Sequence, residues 1–261
     1  MAQWIEYISR FHHEHPGVAA EVLGRCRAGD HSPHNWLGRA VSASSNRVLD
    51  IGCGSGPMSR ELAREGRTVL GIDLSMNEVL EAQKLGPGPW ARANALQLPV
   101  ADQSLDAVVS SMALAVIHPT GELLDEVRRV LRPGGMFAAT VPTYRPINPG
   151  DMKLLGPLTA RLEGPPRFPV RLDMSMGPTL LQHGLRKVED ARERYYFDVR
   201  SLEDARTLLG ALYLPTVSPK RVDDAAKWLV GRIGDDGAVR VPIPIRRVVA
   251  IKPRDPQMRE S

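Results

Sequence analysis

Glycine alternates with other residues through the segment 52–56, which follows the apolar run 48–51 and precedes Pro57. Because glycine has no Cβ, it adopts positive φ easily and lets backbone N–H groups approach a ligand closely. Proline suits the first turn of a helix. The stretch therefore predicts a strand, a ligand-binding loop and a helix in succession, with Asp50 as a fixed acceptor at the base of the loop.

A second acidic side chain, Asp73, ends the next apolar run along the chain. A carboxylate at such a place can accept hydrogen bonds from both hydroxyls of a ribose. A nicotinamide-type dinucleotide site is the first alternative, but its G-x-G-x-x-G fingerprint needs a third glycine at position 57, where this chain has proline. The two acids and the loop together predict a nucleoside ligand without a pyrophosphate.

The elements that position these residues alternate between strand and helix from residue 48 to residue 142, as in right-handed βαβ units around a parallel sheet. Ser75 and Glu78 predict a capping box for one helix, and the turn 133–135 ends another. The predicted strands lie at 48–51, 68–73, 90–93, 105–110 and 136–141.

The flanking regions predict mainly helices. Residues 143–173 are rich in proline, glycine and arginine, and we expect an insertion of loops with at most one short helix. The tail from Pro253 is expected to be disordered. The remaining predictions are helices at 2–14, 16–28, from Pro33, at 177–183, from Ser201 and from Ser218, and strands at 188–199 and 246–251.

Composition limits the class of protein. Of the 261 residues, 43% are hydrophobic, which is enough for a substantial core. The first residues are polar and no run of about eighteen apolar residues occurs, so we expect a cytoplasmic protein without a membrane partner. Cys26 and Cys53 lack C-x-x-C spacing, and we expect reduced thiols and no metal site. The net charge of +4 arises in the last third, where interleaved acids favour an ordinary solvated surface over a nucleic-acid-binding one.

Three motifs resemble those of the class I S-adenosylmethionine-dependent methyltransferases. V-L-D-I-G-C-G-S-G at 48–56 is similar to the cofactor motif, G-I-D-L-S at 71–75 to the ribose motif, and R-P-G-G at 132–135 to the turn before the fifth strand. The resemblance covers roughly residues 44–142. It implies an α/β, Rossmann-like, doubly wound, mostly parallel sheet, with a helical N-terminal cap at 1–45 and a methyltransferase domain at 46–261 that has insertions at about 143–185 and 201–235.

The resemblance also implies S-adenosyl-L-methionine as the cofactor. Members usually carry Asp before Ala or Gly at the end of the third strand, whereas this chain has Asn94 before Ala95, whose side-chain oxygen and amide can still bind adenine. The implied cofactor-binding residues are Asp50, Gly52, Cys53, Gly54, Gly56, Asp73, Leu74, Asn94, Ala95, Leu96, Ser111 and Met112.

Methyl transfer is an in-line displacement, but a hydroxyl or ammonium nucleophile must still lose a proton. His118, just beyond the fourth strand, is the candidate base or substrate ligand, and a partly exposed loop histidine is the alternative. Tyr7 and Phe11 are expected either to cover the cofactor or to pack on the sheet. Tyr144 is expected either to line the acceptor pocket or to lie on the surface. Met112 could instead be plain core.

The histidines His12, His13 and His15 do not have the i, i+4 spacing of a metal pair on one helix, so we expect solvated or lid side chains. The predicted function is methylation of a small-molecule acceptor. The segment 110–113 lacks the Asn or Asp before Pro-Pro-aromatic that base-amino methyltransferases place there, so a nucleic-acid partner is not expected. Two alternatives stay open: an RNA-modifying methyltransferase and a non-catalytic S-adenosylmethionine-binding protein.

Overall fold

A seven-stranded sheet organises the structure, a computed structural model that describes residues 2–169 and 176–254. Its strands are β1 (Arg47–Ile51), β2 (Thr68–Asp73), β3 (Trp90–Arg92), β4 (Leu105–Ser111), β5 (Leu131–Pro142), β6 (Arg186–Val199) and β7 (Val239–Ile251). They lie in the order β3-β2-β1-β4-β5-β7-β6. Neighbours from β3 to β5 are parallel, and β7 is antiparallel to both β5 and β6. The predicted Rossmann-like, mostly parallel α/β sheet is confirmed.

Helices cover the sheet and precede its first strand. Several begin where the sequence predicts, because a serine side chain accepts from a backbone N–H in the first turn: Ser32, Ser75, Ser201 and Ser218 each do so. The helices are α1 (Ala2–Glu14), α2 (Val18–Arg25), α3 (Pro33–Gly38), α4 (Pro57–Leu62), α5 (Met76–Leu85), α6 (Thr120–Val130), α7 (Pro149–Arg161), α8 (Met176–Gln182), α9 (Leu202–Gly210) and α10 (Pro219–Val230), with a short 3-10 turn at Ala113–Ala115.

Apolar side chains form a core on each face of the sheet. One cluster joins β1, β4 and β5 to α6 and α8, and another joins the opposite faces of the same strands to α3 and α4. A third cluster packs α2, α7, α9 and α10 against β6 and β7. These four helices therefore pack against the antiparallel strands of the sheet.

Two predicted element boundaries differ from the structure. Strand β5 begins at Leu131, so the predicted turn 133–135 lies within the assigned strand, at a register shift between Leu105 and Ala107 of β4. Helix α7 has 13 residues, because Asn148 and Asp151 cap each other's backbone N–H groups and extend order into the predicted loops of 143–173. The end of that segment, and the predicted disordered tail beyond Arg254, lie outside the described residues.

The predicted capping box at Ser75 is half right. Ser75 Oγ accepts from the Glu78 N–H, but the Ser75 N–H donates to Asp73 Oδ1 at 2.9 Å instead of to Glu78. The Glu78 carboxylate reaches the N-terminal helices instead. Within residues 2–169 and 176–254, no helix has the length and apolar character needed to cross a bilayer.

Candidate active site

A cavity of about 560 Å³ opens at the carboxyl ends of β1, β2 and β4. This is the edge at which ligands bind in open α/β sheets, and the volume lies within the range of small-molecule sites. One end, which we call the polar end, is formed by residues 52–55 and Pro57 of the glycine loop with Asp50, Asp73 and Glu78; Gly56 is not in the lining. The other, the apolar end, is formed by α7, α9 and β7.

The glycine loop has the backbone that its spacing predicts. Gly52, Gly54 and Gly56 all have positive φ, at +67°, +52° and +84°. The N–H groups of Gly52 and Cys53 both donate to the Ile72 carbonyl, at 2.9 and 3.0 Å. These bonds hold the loop against β2 and turn the chain into α4.

Asp73 lies at the end of β2, in the cavity wall. Its Oδ2 accepts from the Gly54 N–H at 3.0 Å and its Oδ1 from the Ser75 N–H at 2.9 Å. Each carboxylate oxygen keeps a second lone pair, so both remain able to accept from a ribose diol. Burial raises the pKa of Asp73, against the lowering effect of the two backbone bonds.

Asp50 is fully buried at the base of the cavity. The Ser59 hydroxyl donates to its Oδ2 at 2.7 Å, whereas Oδ1 has no hydrogen-bond partner among the described residues. Burial raises the pKa of Asp50 to about 7. A carboxylate in this state favours a ligand that brings a positive charge and N–H donors.

The segment after β3, for which the resemblance implies adenine binding, also lines the cavity. The Asn94 side-chain oxygen accepts from the Leu96 N–H at 3.0 Å, which forms a local turn. That oxygen has one lone pair left and the side-chain NH2 group remains for a ligand. Ala95 and Leu96 lie beside it in the wall, as does the half-exposed Leu74.

The end of β4 has an unusual backbone. Met112 has φ +66°, a conformation that a non-glycine residue adopts only when its surroundings impose it. Its N–H donates to the Thr140 carbonyl at 2.9 Å, and both Ser111 and Met112 line the cavity. Met112 also packs against the third apolar cluster, which joins α2, α7, α9 and α10 to β6 and β7, so it lies between the core and the cavity.

The proposed catalytic and lid residues take different positions. His118 lines the cavity beyond β4, and Tyr144 lines it while being 57% exposed. Tyr7 and Phe11 are not in the lining. Phe11 packs edge-on against Tyr213 at 4.9 Å between ring centroids, and the Tyr7 hydroxyl accepts from the Leu214 N–H. Both support the wall from behind.

The sequence did not predict a hydrogen-bonded cluster in the cavity wall, formed by His12, Glu78 and Tyr213. His12 Nδ1 is 2.8 Å from Glu78 Oε1, and its Nε2 is 3.0 Å from the Tyr213 hydroxyl. The Gly17 N–H donates to Glu78 Oε2 at 3.0 Å. The cluster joins α1, α5 and the segment after α9. His13 and His15 are exposed as predicted, whereas His12 is not a solvated side chain.

These features fit S-adenosylmethionine. The unpartnered Asp50 oxygen faces a place for an ammonium group, the positive-φ loop admits a close backbone approach, and Asp73 has free lone pairs for a ribose. Glu78 adds a third carboxylate to the polar end, which favours a cationic ligand. Within the described residues, no group of three or more His, Cys, Asp or Glu side chains could hold a metal ion.

Comparison with known proteins agrees with this geometry. Residues 49–139 match the family described as a methyltransferase domain. The chain is 36% identical over 137 residues to the 2-phytyl-1,4-naphtoquinone methyltransferase of Nostoc punctiforme, covering 49% of this chain and 58% of that protein. It is 40% identical over 90 residues to the demethylmenaquinone methyltransferase of Beutenbergia cavernae, covering 34% of this chain and 38% of that protein. The matches thus span less than two thirds of these relatives.

Solved structures share the fold at low identity. A putative methyltransferase from Bacillus halodurans superposes with a TM-score of 0.59 at 15% identity, covering 85% of this chain and 99% of that one. The [4+2]-cyclase SpnF superposes with a TM-score of 0.62 at 19% identity, covering 95% and 96%. The sequence match begins within β1 and includes the glycine loop and Asp73, so residues 49–139 form a region similar to a methyltransferase domain.

Proposed function

We propose that this protein transfers the methyl group of S-adenosylmethionine to a small, largely apolar acceptor. One observation carries the proposal: a single cavity joins the carboxylates and glycine loop of the polar end to the apolar end. A cofactor bound at the polar end would thus have its reactive group beside a chamber that can hold a second molecule. Bringing two reactants together in this way accounts for much of the rate of a displacement.

The apolar end supports an acceptor with extensive hydrocarbon surface. Its wall is built from aliphatic and aromatic side chains of α7, α9, β7 and the segment between α7 and α8. The relatives named above are described as 2-phytyl-1,4-naphtoquinone and demethylmenaquinone methyltransferases, so a reduced quinone is the acceptor class we would try first. The wall residues are Leu155, Leu158, Leu162, Phe168, Leu208, Leu209, Leu212, Val241 and Ile243.

The cofactor supplies a methyl group activated by its sulfonium sulfur. In the proposal, Asp73 accepts from the ribose hydroxyls and Asn94 faces the adenine, while the N-terminal helices exclude water. His118 is the proposed base for an acceptor hydroxyl, because it lines the cavity beyond β4. The same proposal includes a helical cap at residues 1–45, a methyltransferase domain at residues 46–261 and a cytoplasmic location.

The RNA-modifying alternative has less support. Among the described residues, many basic side chains of the last third form ion pairs, such as Arg206 with Asp223 and Arg194 with Asp151. A guanidinium that is already paired with a carboxylate has less positive charge and fewer N–H donors available for a nucleic-acid phosphate. The non-catalytic alternative shares the cofactor site and differs only in the absence of turnover.

Titration of the purified protein with S-adenosylhomocysteine tests the cofactor site. We expect saturable one-to-one binding, and Asp73→Ala should weaken it by about 1.5–3 kcal/mol, because hydrogen bonds to a charged acceptor are lost. Asp125→Ala, which removes an exposed carboxylate paired with His183, should leave the dissociation constant unchanged. An unaltered constant in Asp73→Ala would refute the ribose assignment, and no saturable binding by the unmodified protein would refute the proposed function.

A further inference from the structure

Four buried side-chain oxygens have no hydrogen-bond partner among the described residues. One of them, Ser110 Oγ, lies on the opposite face of β4 from Ser111. The other three are Asp50 Oδ1 and Ser111 Oγ, whose residues line the cavity, and Thr140 Oγ1. They lie at the carboxyl ends of β1, β4 and β5, three strands that are neighbours in the sheet, and Ser111 pairs in register with Thr140. Buried polar atoms are normally satisfied, so a row of exceptions at one edge points to a ligand.

The three side chains share one face of the sheet with α3. Side chains alternate along a strand, so each lies on the same face as the residue two positions before it. Those residues are Val48, Val109 and Ala138, and all three belong to the cluster that packs against Leu37 of α3. The unpartnered oxygens therefore lie on the α3 side of the cavity floor.

His34 faces the same place from α3. It lies one helical turn before Leu37, lines the cavity and is only 5% exposed. Its side chain makes no hydrogen bond within residues 2–169 and 176–254. Burial lowers the pKa of His34 to about 4, so the imidazole is neutral near pH 7 and has one N–H donor and one free acceptor nitrogen.

The ligand for this group must both donate and accept. The Asp50 carboxylate oxygen and the unprotonated nitrogen of His34 are acceptors, so they need N–H donors from the ligand. The His34 N–H and the hydroxyl groups of Ser111 and Thr140 are donors, so they need acceptor oxygens. An ammonium and a carboxylate on one carbon meet both demands. The hydrocarbon of an apolar acceptor meets neither, and such an acceptor has the apolar end available.

From this arrangement we infer that His34 recognises the ammonium and carboxylate groups at the amino-acid end of S-adenosylmethionine, beside Asp50, an inference that rests on the proposed function. The glycine loop is then not the sole holder of that end. A helix that precedes the first strand contributes to it, and so links the N-terminal helices to cofactor binding.

Two nucleosides separate this role from general packing. S-adenosylhomocysteine carries the amino-acid end, and methylthioadenosine lacks it while keeping the adenine, the ribose and the sulfur. His34→Phe keeps a ring of similar size in the site but removes both nitrogens. We expect it to weaken S-adenosylhomocysteine binding by roughly tenfold or more and to leave methylthioadenosine binding within about twofold.

Calorimetric titration of each nucleoside into the full chain gives the readout. His34→Asn, which restores a donor and an acceptor, should lie between the unmodified protein and His34→Phe. The control His183→Asn alters a histidine outside the cavity and should change neither constant. Retained methylthioadenosine binding shows that His34→Phe is folded.

Two results would overturn the inference. If His34→Phe weakened the binding of both nucleosides equally, His34 would support the general shape of the site and not the amino-acid end of the cofactor. Unchanged binding of S-adenosylhomocysteine in His34→Phe would assign it to the acceptor or to packing. If the unmodified protein binds neither nucleoside, the proposed function fails as well, and this outcome is distinct from the first two.

Discussion

Asp50→Asn is expected to stabilise the free protein at pH 8 by about 2 kcal/mol and to weaken S-adenosylhomocysteine binding at least about a hundredfold. The reason for the first effect is the burial of the carboxylate. Its pKa rises from 3.8 to about 7, so keeping the group ionised in the fold costs on the order of 4 kcal/mol above pH 7. The asparagine NH2 group lacks partners, and that loss offsets about half of the gain.

The sign of the pH dependence follows from the same shift. Below pH 4, Asp50 is protonated in both the folded and the unfolded chain, and its burial carries no charge penalty. As the pH rises from about 4 to about 7, the unfolded chain has released the proton that the folded chain retains, so the stability of the unmodified protein falls relative to Asp50→Asn. The difference between the two proteins should therefore grow between about pH 4 and pH 7 and then level off.

Urea unfolding at several pH values measures this difference. Asp106→Asn is a matched control with the opposite sign. Burial works to raise the pKa of Asp106, but hydrogen bonds from the Arg47 and Asn46 N–H groups and the Arg132 guanidinium outweigh it and lower the pKa. Removing that charge should destabilise the fold at pH 8. An Asp50→Asn protein that is less stable than the unmodified one at pH 8 would contradict the assignment.

Gly52→Ala is expected to destabilise the protein by more than about 3 kcal/mol and to abolish cofactor binding. Two costs combine at this position. The φ of +67° costs an alanine about 1–2 kcal/mol, and an added Cβ would lie only 2.3 Å from the Ala113 Cβ. The backbone after β4 would have to move, and with it Met112 in the cavity wall.

Gly66→Ala separates the two costs. Gly66 has a similar φ of +74° but nothing within 4 Å of an added Cβ, so only the backbone strain of about 1–2 kcal/mol applies. Denaturant unfolding and S-adenosylhomocysteine titration of both variants give the comparison. If Gly52→Ala cost no more stability than Gly66→Ala, close approach of Ala113 would not explain why glycine occupies position 52.

Local patterns predicted the part of the site that is contiguous in sequence. Alternating glycines, the terminal acids of two strands and a serine cap each act within a few residues, so spacing alone located the loop 52–56, Asp73 and the start of α5. The sheet followed for the same reason, because strand and helix alternate with short connections. The strand predicted at 246–251 is the end of β7, which begins earlier, at Val239, and whose antiparallel pairing the sequence did not predict.

The rest of the site depends on contacts between distant segments. His12 and Tyr213 are 201 residues apart, and nothing in the spacing of His12, His13 and His15 indicated that one of them is held in the cavity wall. Glu78 was assigned to a capping box because its position three residues after Ser75 fits one. In the structure the Glu78 carboxylate instead bonds His12 and the Gly17 N–H. These belong to N-terminal segments whose placement the sequence did not define.

His34 shows a further limit of sequence reasoning. In the sequence it is one polar residue after a helix-capping serine and a proline, with no motif around it. Only the packing of Leu37 against three strands shows that the same side of α3 faces the cavity floor. The unpartnered oxygens that suggest a ligand beside His34 belong to strands that follow it in the chain, the last of them at Thr140.

Methyl transfer itself is the central claim, and incubation with methyl-labelled S-adenosylmethionine tests it most directly. The acceptors are reduced naphthoquinones, phenols and aliphatic alcohols small enough for the cavity, with Asp73→Ala as the control. We expect label to appear on an apolar acceptor, with an equal amount of S-adenosylhomocysteine formed, and the rate to fall in the control at low cofactor concentration. Saturable cofactor binding with neither product, across the whole set, would contradict the account.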